Sequence, residues 1–158
     1  MNRILLEQML KKMKSMLEEG QNIGDLKIGA LYALGNQLDA IFYFIGHELG
    51  SFMQGEYLSS ADLVQTLEMA TGKFHLGSFH IIESNTEHIT FELESCNSCK
   101  DIEVPYIQIH QGFCSFEAGL FAGIVEKTTG KHCFAQELEC RLQKTTPRCR
   151  FMIVIPRD

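Results

Sequence analysis

Apolar residues recur three and four positions apart from Asn2 to Glu19, where Leu6, Met9, Met13 and Met16 form one stripe that Gly20 stops. The spacing predicts a helix of about two heptads, marginal alone, that packs on the domain or on a second copy of itself. Ile28 to Met53 keeps the helical period through Leu31, Leu34, Leu38, Ile41, Phe42, Ile45, Leu49 and Phe52. Such wide apolar coverage predicts a helix buried on more than one side. Gly35, Gly46 and Gly50 leave room for another helix, and Asn36, Gln37, Asp39, His47 and Glu48 mark a buried helix and not a membrane span. A third helix is predicted over Ala61 to Thr71, capped by Ser59 or Ser60, with Leu63, Val64 and Leu67 inward and Gly72 as its stop.

The period then changes to two. Phe74 to Glu83 alternates as a strand, Asn85-Thr86 turns, and His88 to Glu94 returns with Ile89, Phe91 and Leu93 on one face. A polar loop carries Cys96 and Cys99, and Val104 to Ile109 is a short apolar piece. Cys114 to Thr129 reads as a helix with Phe116, Leu120, Phe121, Ile124 and Val125 inward. Its Gly119 and Gly123 form a smooth side suited to close approach to a sheet, and Gly130 ends it. Lys131 to Leu142 and Arg150 to Ile155 make a second hairpin across Lys144 to Pro147. The expected class is α+β: N-terminal helices packed on an antiparallel sheet of about four strands made of two hairpins.

Composition narrows the function. The 158 residues suit a single domain spanning 1–158, with 1–20 as a helix available for dimerisation. Hydrophobic residues at 45% and charged residues at 22% exclude wholesale disorder. A net charge of -6 argues against non-specific nucleic-acid binding. The basic groups Lys11, Lys12 and Lys14, and Arg141, Lys144, Arg148 and Arg150, read as solvated faces. No secretory leader opens the chain, so the expectation is a cytoplasmic protein with no membrane partner. In that reducing compartment six cysteines point to metal or redox chemistry before disulfides.

The chemistry concentrates between Cys114 and Cys149. Cys114 starts a helix, where the dipole favours thiolate. Glu137 and Cys140 lie on the next strand, and pairing across the hairpin brings Cys140 opposite Cys149. Three thiolates and one oxygen suit tetrahedral zinc. Glu137 and Cys140 are three apart, so a regular strand would point them to opposite faces. A bulge, or an end of pairing near Glu139, is required, and Glu139 competes as the carboxylate ligand. Buried free cysteines without metal are the alternative. Cys96 and Cys99 form a CxxC that reads as a redox pair or half a metal site. The Lys-Asp-Ile-Glu-Val-Pro after it is not the helix of a thioredoxin motif. Joined to Cys140 and Cys149 it would make an all-thiolate site, suited also to an iron-sulfur cluster. Cys133 reads as buried. Among the histidines, His80 and His110, the latter with Tyr106, are candidates for lining a cavity.

From Phe113 onward the chain resembles the 4-vinyl-reductase domain family. The resemblance rests on Cys114, Gly119, Gly123, Gly130, Glu137, Cys140 and Cys149, and covers roughly the last quarter of the chain. It implies a structural zinc ion held by Cys114, Glu137, Cys140 and Cys149, as in the related phenol-sensing domains of bacterial activators. It also implies a fold like that of TRAPP subunits, commonly a homodimer through N-terminal helices, with a small-molecule cavity near the sheet. The loop between Cys140 and Cys149 is about one residue longer than the family's and lacks its glycine. The sensors' ligand-binding histidine and tryptophan cannot be placed on this chain, which has no Trp.

The reading that follows is a zinc-containing sensor or carrier of a small apolar or aromatic ligand, with no catalytic residue assigned. The alternatives are a reductase or redox protein using Cys96 and Cys99 or an iron-sulfur cluster, and a non-catalytic protein-interaction subunit.

Overall fold

The structure is a computed structural model that describes residues 3–21, 23, 37–52, 62–102, 113–143 and 146–157. Helix α1 (Arg3–Glu18) leads, followed by α2 (Leu38–Phe52) and α3 (Leu63–Lys73). Strands β1 (Ser78–Ser84) and β2 (His88–Glu94) form the first hairpin. Helix α4 (Ser115–Thr129) crosses to the second, β3 (Phe134–Glu139) and β4 (Cys149–Val154). The two hairpins join through β2 and β4 into one antiparallel sheet of order β1-β2-β4-β3. The α+β class and the two-hairpin sheet are as expected.

The helices differ in detail from the expectation. The buried stripe of α1 is Leu6, Leu10 and Leu17, with Met9 exposed, so the helix is rotated from the predicted methionine stripe. The first part of the predicted second helix, with Leu31, Leu34 and Gly35, lies outside the described residues, as do Ser59 and Ser60. The third helix is capped by Asp62, whose side chain accepts from the Val64 N–H at 3.0 Å. It runs through Gly72 to Lys73 and does not stop at the glycine. The first strand starts at Ser78, because Phe74 and Leu76 are spent as buried anchors below the sheet.

The period-two pattern is kept. Ile89, Phe91 and Leu93 are fully buried on one face of β2. Phe91 lies over Phe151 of β4 with ring centroids 5.4 Å apart and meets Phe121 of α4 edge-on at 4.8 Å. The turn between β1 and β2 is held by Asn85, whose side-chain Oδ1 accepts from the Glu87 and His88 N–H groups. Among the described residues, no helix is long and apolar enough to cross a membrane.

Helix α4 lies between the sheet and α2, which is why Phe116 to Val125 are all buried. Gly119 and Gly123 face α2, and not the sheet as the sequence suggested. A Cβ on Gly119 would overlap the Tyr43 carbonyl oxygen, and one on Gly123 the His47 carbonyl oxygen. Gly46 and Gly50 of α2 meet the carbonyl oxygens of Phe116 and Leu120 in the same way. Four glycines therefore let two helical backbones touch.

Gly46→Ala should force the helices apart and cost about 3 kcal/mol, read as a fall in the melting temperature. Gly72→Ala, with nothing within 4 Å of the added Cβ, should gain about 0.5 kcal/mol. Equal effects of the two substitutions would contradict the backbone contact.

Candidate metal centre

Five of the six free cysteines converge at one end of the sheet. Cys96 and Cys99 sit in the turn after β2, Cys114 is the N-cap residue of α4, Cys140 follows β3, and Cys149 begins β4. Each is at most 1% exposed. Cys149 Sγ is central: it lies 3.5 Å from Cys99 Sγ, 3.7 Å from Cys114 Sγ and 3.9 Å from Cys140 Sγ. A zinc tetrahedron with Zn–S bonds of 2.3 Å has edges of about 3.8 Å. The thiols are therefore spaced as ligands of a common ion.

Two overlapping ligand sets result. Cys114, Glu137, Cys140 and Cys149 offer donor atoms all within 4.8 Å of one another, and so do Cys96, Cys99, Cys114 and Cys149. The all-thiolate set takes Cys114, where the sequence suggested Cys140. Glu139 belongs to neither set; it pairs with Arg150 on the sheet.

The irregularity that the spacing demanded lies between Glu137 and Glu139. Glu137 is opposite the fully buried Phe151, Glu139 is opposite Arg150, and Leu138 between them has no partner and is 41% exposed. This extra residue shifts the alternation by one, so Glu137 and Cys140, three apart, both turn inward. Glu137 also accepts the Cys114 N–H at 3.1 Å, tying the strand to the start of α4. Cys140 N–H donates to the Gln143 side chain at 2.9 Å, and the 3-10 turn Arg141–Gln143 carries Arg141 N–H to 3.4 Å from Cys149 Sγ.

The CxxC turn is anchored by side chains that the sequence did not single out. Asn97 accepts from Ile23 N–H at 3.2 Å and donates to the carbonyls of Gln21 and His75. Ser98 donates its backbone N–H and its hydroxyl to the buried Glu117 carboxylate at 3.0 and 2.6 Å. Arg141, expected on a solvated face, donates instead to the carbonyls of Cys99 and Ile102. A buried Asn between two cysteines, and a Glu three residues after Cys114, were the available signals.

Burial pushes the Cys96 and Cys114 thiols well above the ordinary range. Hydrogen bonds from Cys114, Cys140 and the other thiols hold Cys99 below it. At Cys149 the Cys114 hydrogen bond pulls downward, but Cys140, Cys99 and burial outweigh it and the thiol stands high. Without a cation, a packed set of thiols keeps most of its protons; a divalent ion replaces them.

The other candidates lie elsewhere. Cys133 is buried and its thiol donates to the Lys131 carbonyl at 3.3 Å. His80 is half exposed beside Glu94, at 3.3 Å. Tyr106 and His110 lie outside the described residues. His47 and His132 flank Glu126 at 2.8 and 3.2 Å, a polar group the sequence reading missed.

No family model matches the chain. It is 28% identical to an uncharacterized protein of Methanocaldococcus jannaschii over 130 residues, 82% of this chain and 72% of that one. Several solved structures share the fold. The phenol-responsive sensory domain of the transcription activator PoxR, solved with phenol, has a TM-score of 0.65 at 18% identity, over 84% of this chain and 72% of that one. A vinyl-4-reductase family protein from Methanocaldococcus jannaschii has a TM-score of 0.59 at 19% identity, over 99% and 98%. A trafficking protein particle complex subunit 3 from Naegleria fowleri, covalently bound to palmitic acid, has a TM-score of 0.65 at 10% identity, over 99% and 98%. The architecture expected from the resemblance is thus the one the chain has.

Asn97→Ala removes three hydrogen bonds that hold the CxxC turn. It should cost about 3 kcal/mol and speed the reaction of Cys96 and Cys99 with a thiol reagent. Unchanged melting and unchanged thiol reactivity would mean that the turn is held by other contacts.

Proposed function

We propose that the protein is a small-molecule-binding domain, a sensor or carrier, whose C-terminal half is clasped by a zinc ion on Cys114, Glu137, Cys140 and Cys149. The observation that carries this reading is the convergence of buried thiols at tetrahedral spacing, with a bulge that turns Glu137 inward. Four protein donors leave zinc no open position, which is the arrangement of a structural ion. The ion would join the start of α4, the end of β3 and the start of β4, so its binding free energy becomes folding free energy. A four-iron cluster fits less well: each of its cysteines ligates a different iron, so they stand farther apart than one tetrahedral edge.

The ligand class follows from apolar surface. Leu6, Met9, Ala40, Ile41, Phe44 and Ile45 line an open hollow of about 420 Å³ between α1 and α2. Ile4 and Leu5 of α1 stand 67% and 61% exposed close by in the chain. A second copy packed across this face would bury those side chains and close the hollow, which supports a homodimer with an apolar ligand near its interface. Two proteins of the same fold were solved with phenol and with palmitic acid, so a small aromatic or acyl compound is the class to test.

Elemental analysis of the purified protein should find zinc. Cys140→Ser should lower the zinc content and the melting temperature together. Iron with a visible absorption band, no metal, or an unchanged Cys140→Ser variant would overturn the clasp.

A further inference from the structure

Cys96 and Cys99 have no part in that clasp, yet the fold aims both at it. All of Cys96, Asn97, Ser98 and Cys99 are buried. The two residues between the thiols are tied outward, Asn97 to Gln21, Ile23 and His75, and Ser98 to Glu117. The Arg141 guanidinium fastens the far side of the turn through the carbonyls of Cys99 and Ile102. With its polar side chains so engaged, the turn presents its two thiols to the cluster, and Cys99 Sγ comes within 3.5 Å of Cys149 Sγ.

We infer that the chain holds a second metal ion on Cys96, Cys99, Cys114 and Cys149, making the centre binuclear with Cys114 and Cys149 as bridging thiolates. The inference rests on the zinc clasp, since the bridges are two of the clasp's ligands. Two tetrahedra that share an edge need two common donors and two further donors each. The described residues supply that set: Cys96 and Cys99 end one tetrahedron, and Glu137 and Cys140 end the other. The shared edge, Cys114 to Cys149, measures 3.7 Å, against the edge of about 3.8 Å expected for zinc–thiolate bonds.

Charge favours the second ion. A single cation would leave the thiols of Cys96 and Cys99 buried and idle. With two divalent cations, each thiol releases its proton to solvent as it binds. Five thiolates and one carboxylate then leave a small negative excess. The Arg141 guanidinium lies beside Cys99, the Arg141 N–H points at the bridging Cys149 Sγ from 3.4 Å, and the N-terminus of α4 is at Cys114. Thiolate-rich donors select zinc, cadmium or cobalt over magnesium and calcium.

The test is cadmium loading of the full chain, read by native mass spectrometry and by cadmium-113 NMR. The expected result is two ions per chain and two resonances, with the β-protons of Cys114 and Cys149 correlated to both. The double variant Cys96→Ser/Cys99→Ser should retain one ion, at the oxygen-containing position. Cys140→Ser should retain one ion, at the all-sulfur position. One ion in the wild type that is lost on Cys140→Ser and kept in the double variant overturns the second site and leaves the clasp standing. One ion lost in the double variant and kept in Cys140→Ser overturns both, as does no ion at all. If either variant fails to fold, the wild-type stoichiometry and proton correlations decide.

Discussion

The contact between α2 and α4 is the constraint on which the rest of the structure depends. Gly46, Gly50, Gly119 and Gly123 bring two helical backbones together with no side chain between them. A helix in that position is enclosed on one side by α2 and on the other by the sheet. It must be apolar nearly all round, and α4 is. The same contact fixes where α4 begins, and Cys114 is its N-cap. The place of one central thiol is thus set by a seam that starts a turn farther along the helix.

The cluster itself is assembled from pieces that have no local reason to meet. The CxxC turn follows β2, Cys114 caps a helix, and Cys140 and Cys149 come from a hairpin more than twenty residues later. Glu137 bonds to the Cys114 backbone, Glu117 to Ser98, and Arg141 to the turn after Cys99. Each of these links crosses from one piece to another. The centre is therefore held by a polar frame of its own before any cation adds to it; Glu117 and Arg141 of that frame are in neither ligand set, and Glu137 is in one.

Where one period dominated, the sequence was legible. β2 runs from His88 to Glu94 with Ile89, Phe91 and Leu93 inward, because strict alternation leaves one solution. The need for an irregular strand after Glu137 followed from parity alone, and the break is there. The rotation of α1 was not legible, because leucines and methionines offer two overlapping stripes and only packing chooses between them. Gly119 and Gly123 announced a close approach but not its partner, since a smooth patch carries no address. Glu117 was hidden because an acidic residue in a first helical turn is ordinarily explained by the dipole; its burial against Ser98 is a tertiary fact. Arg141 was misread for the same reason, as charge on a surface and not as the clamp on a turn.

Leu138 makes the site tolerant of the genetic text in an unusual way. It contributes no ligand, faces outward and pairs with nothing across the strand. The bulge absorbs it, so Glu137 and Glu139 stand opposite Phe151 and Arg150 as adjacent residues would. A codon deleted there would leave every donor in the chain and set Glu137 and Cys140 two apart, on one face of a regular strand. Related chains can therefore differ in length by this one outward-facing residue and still turn the same donors to the same side.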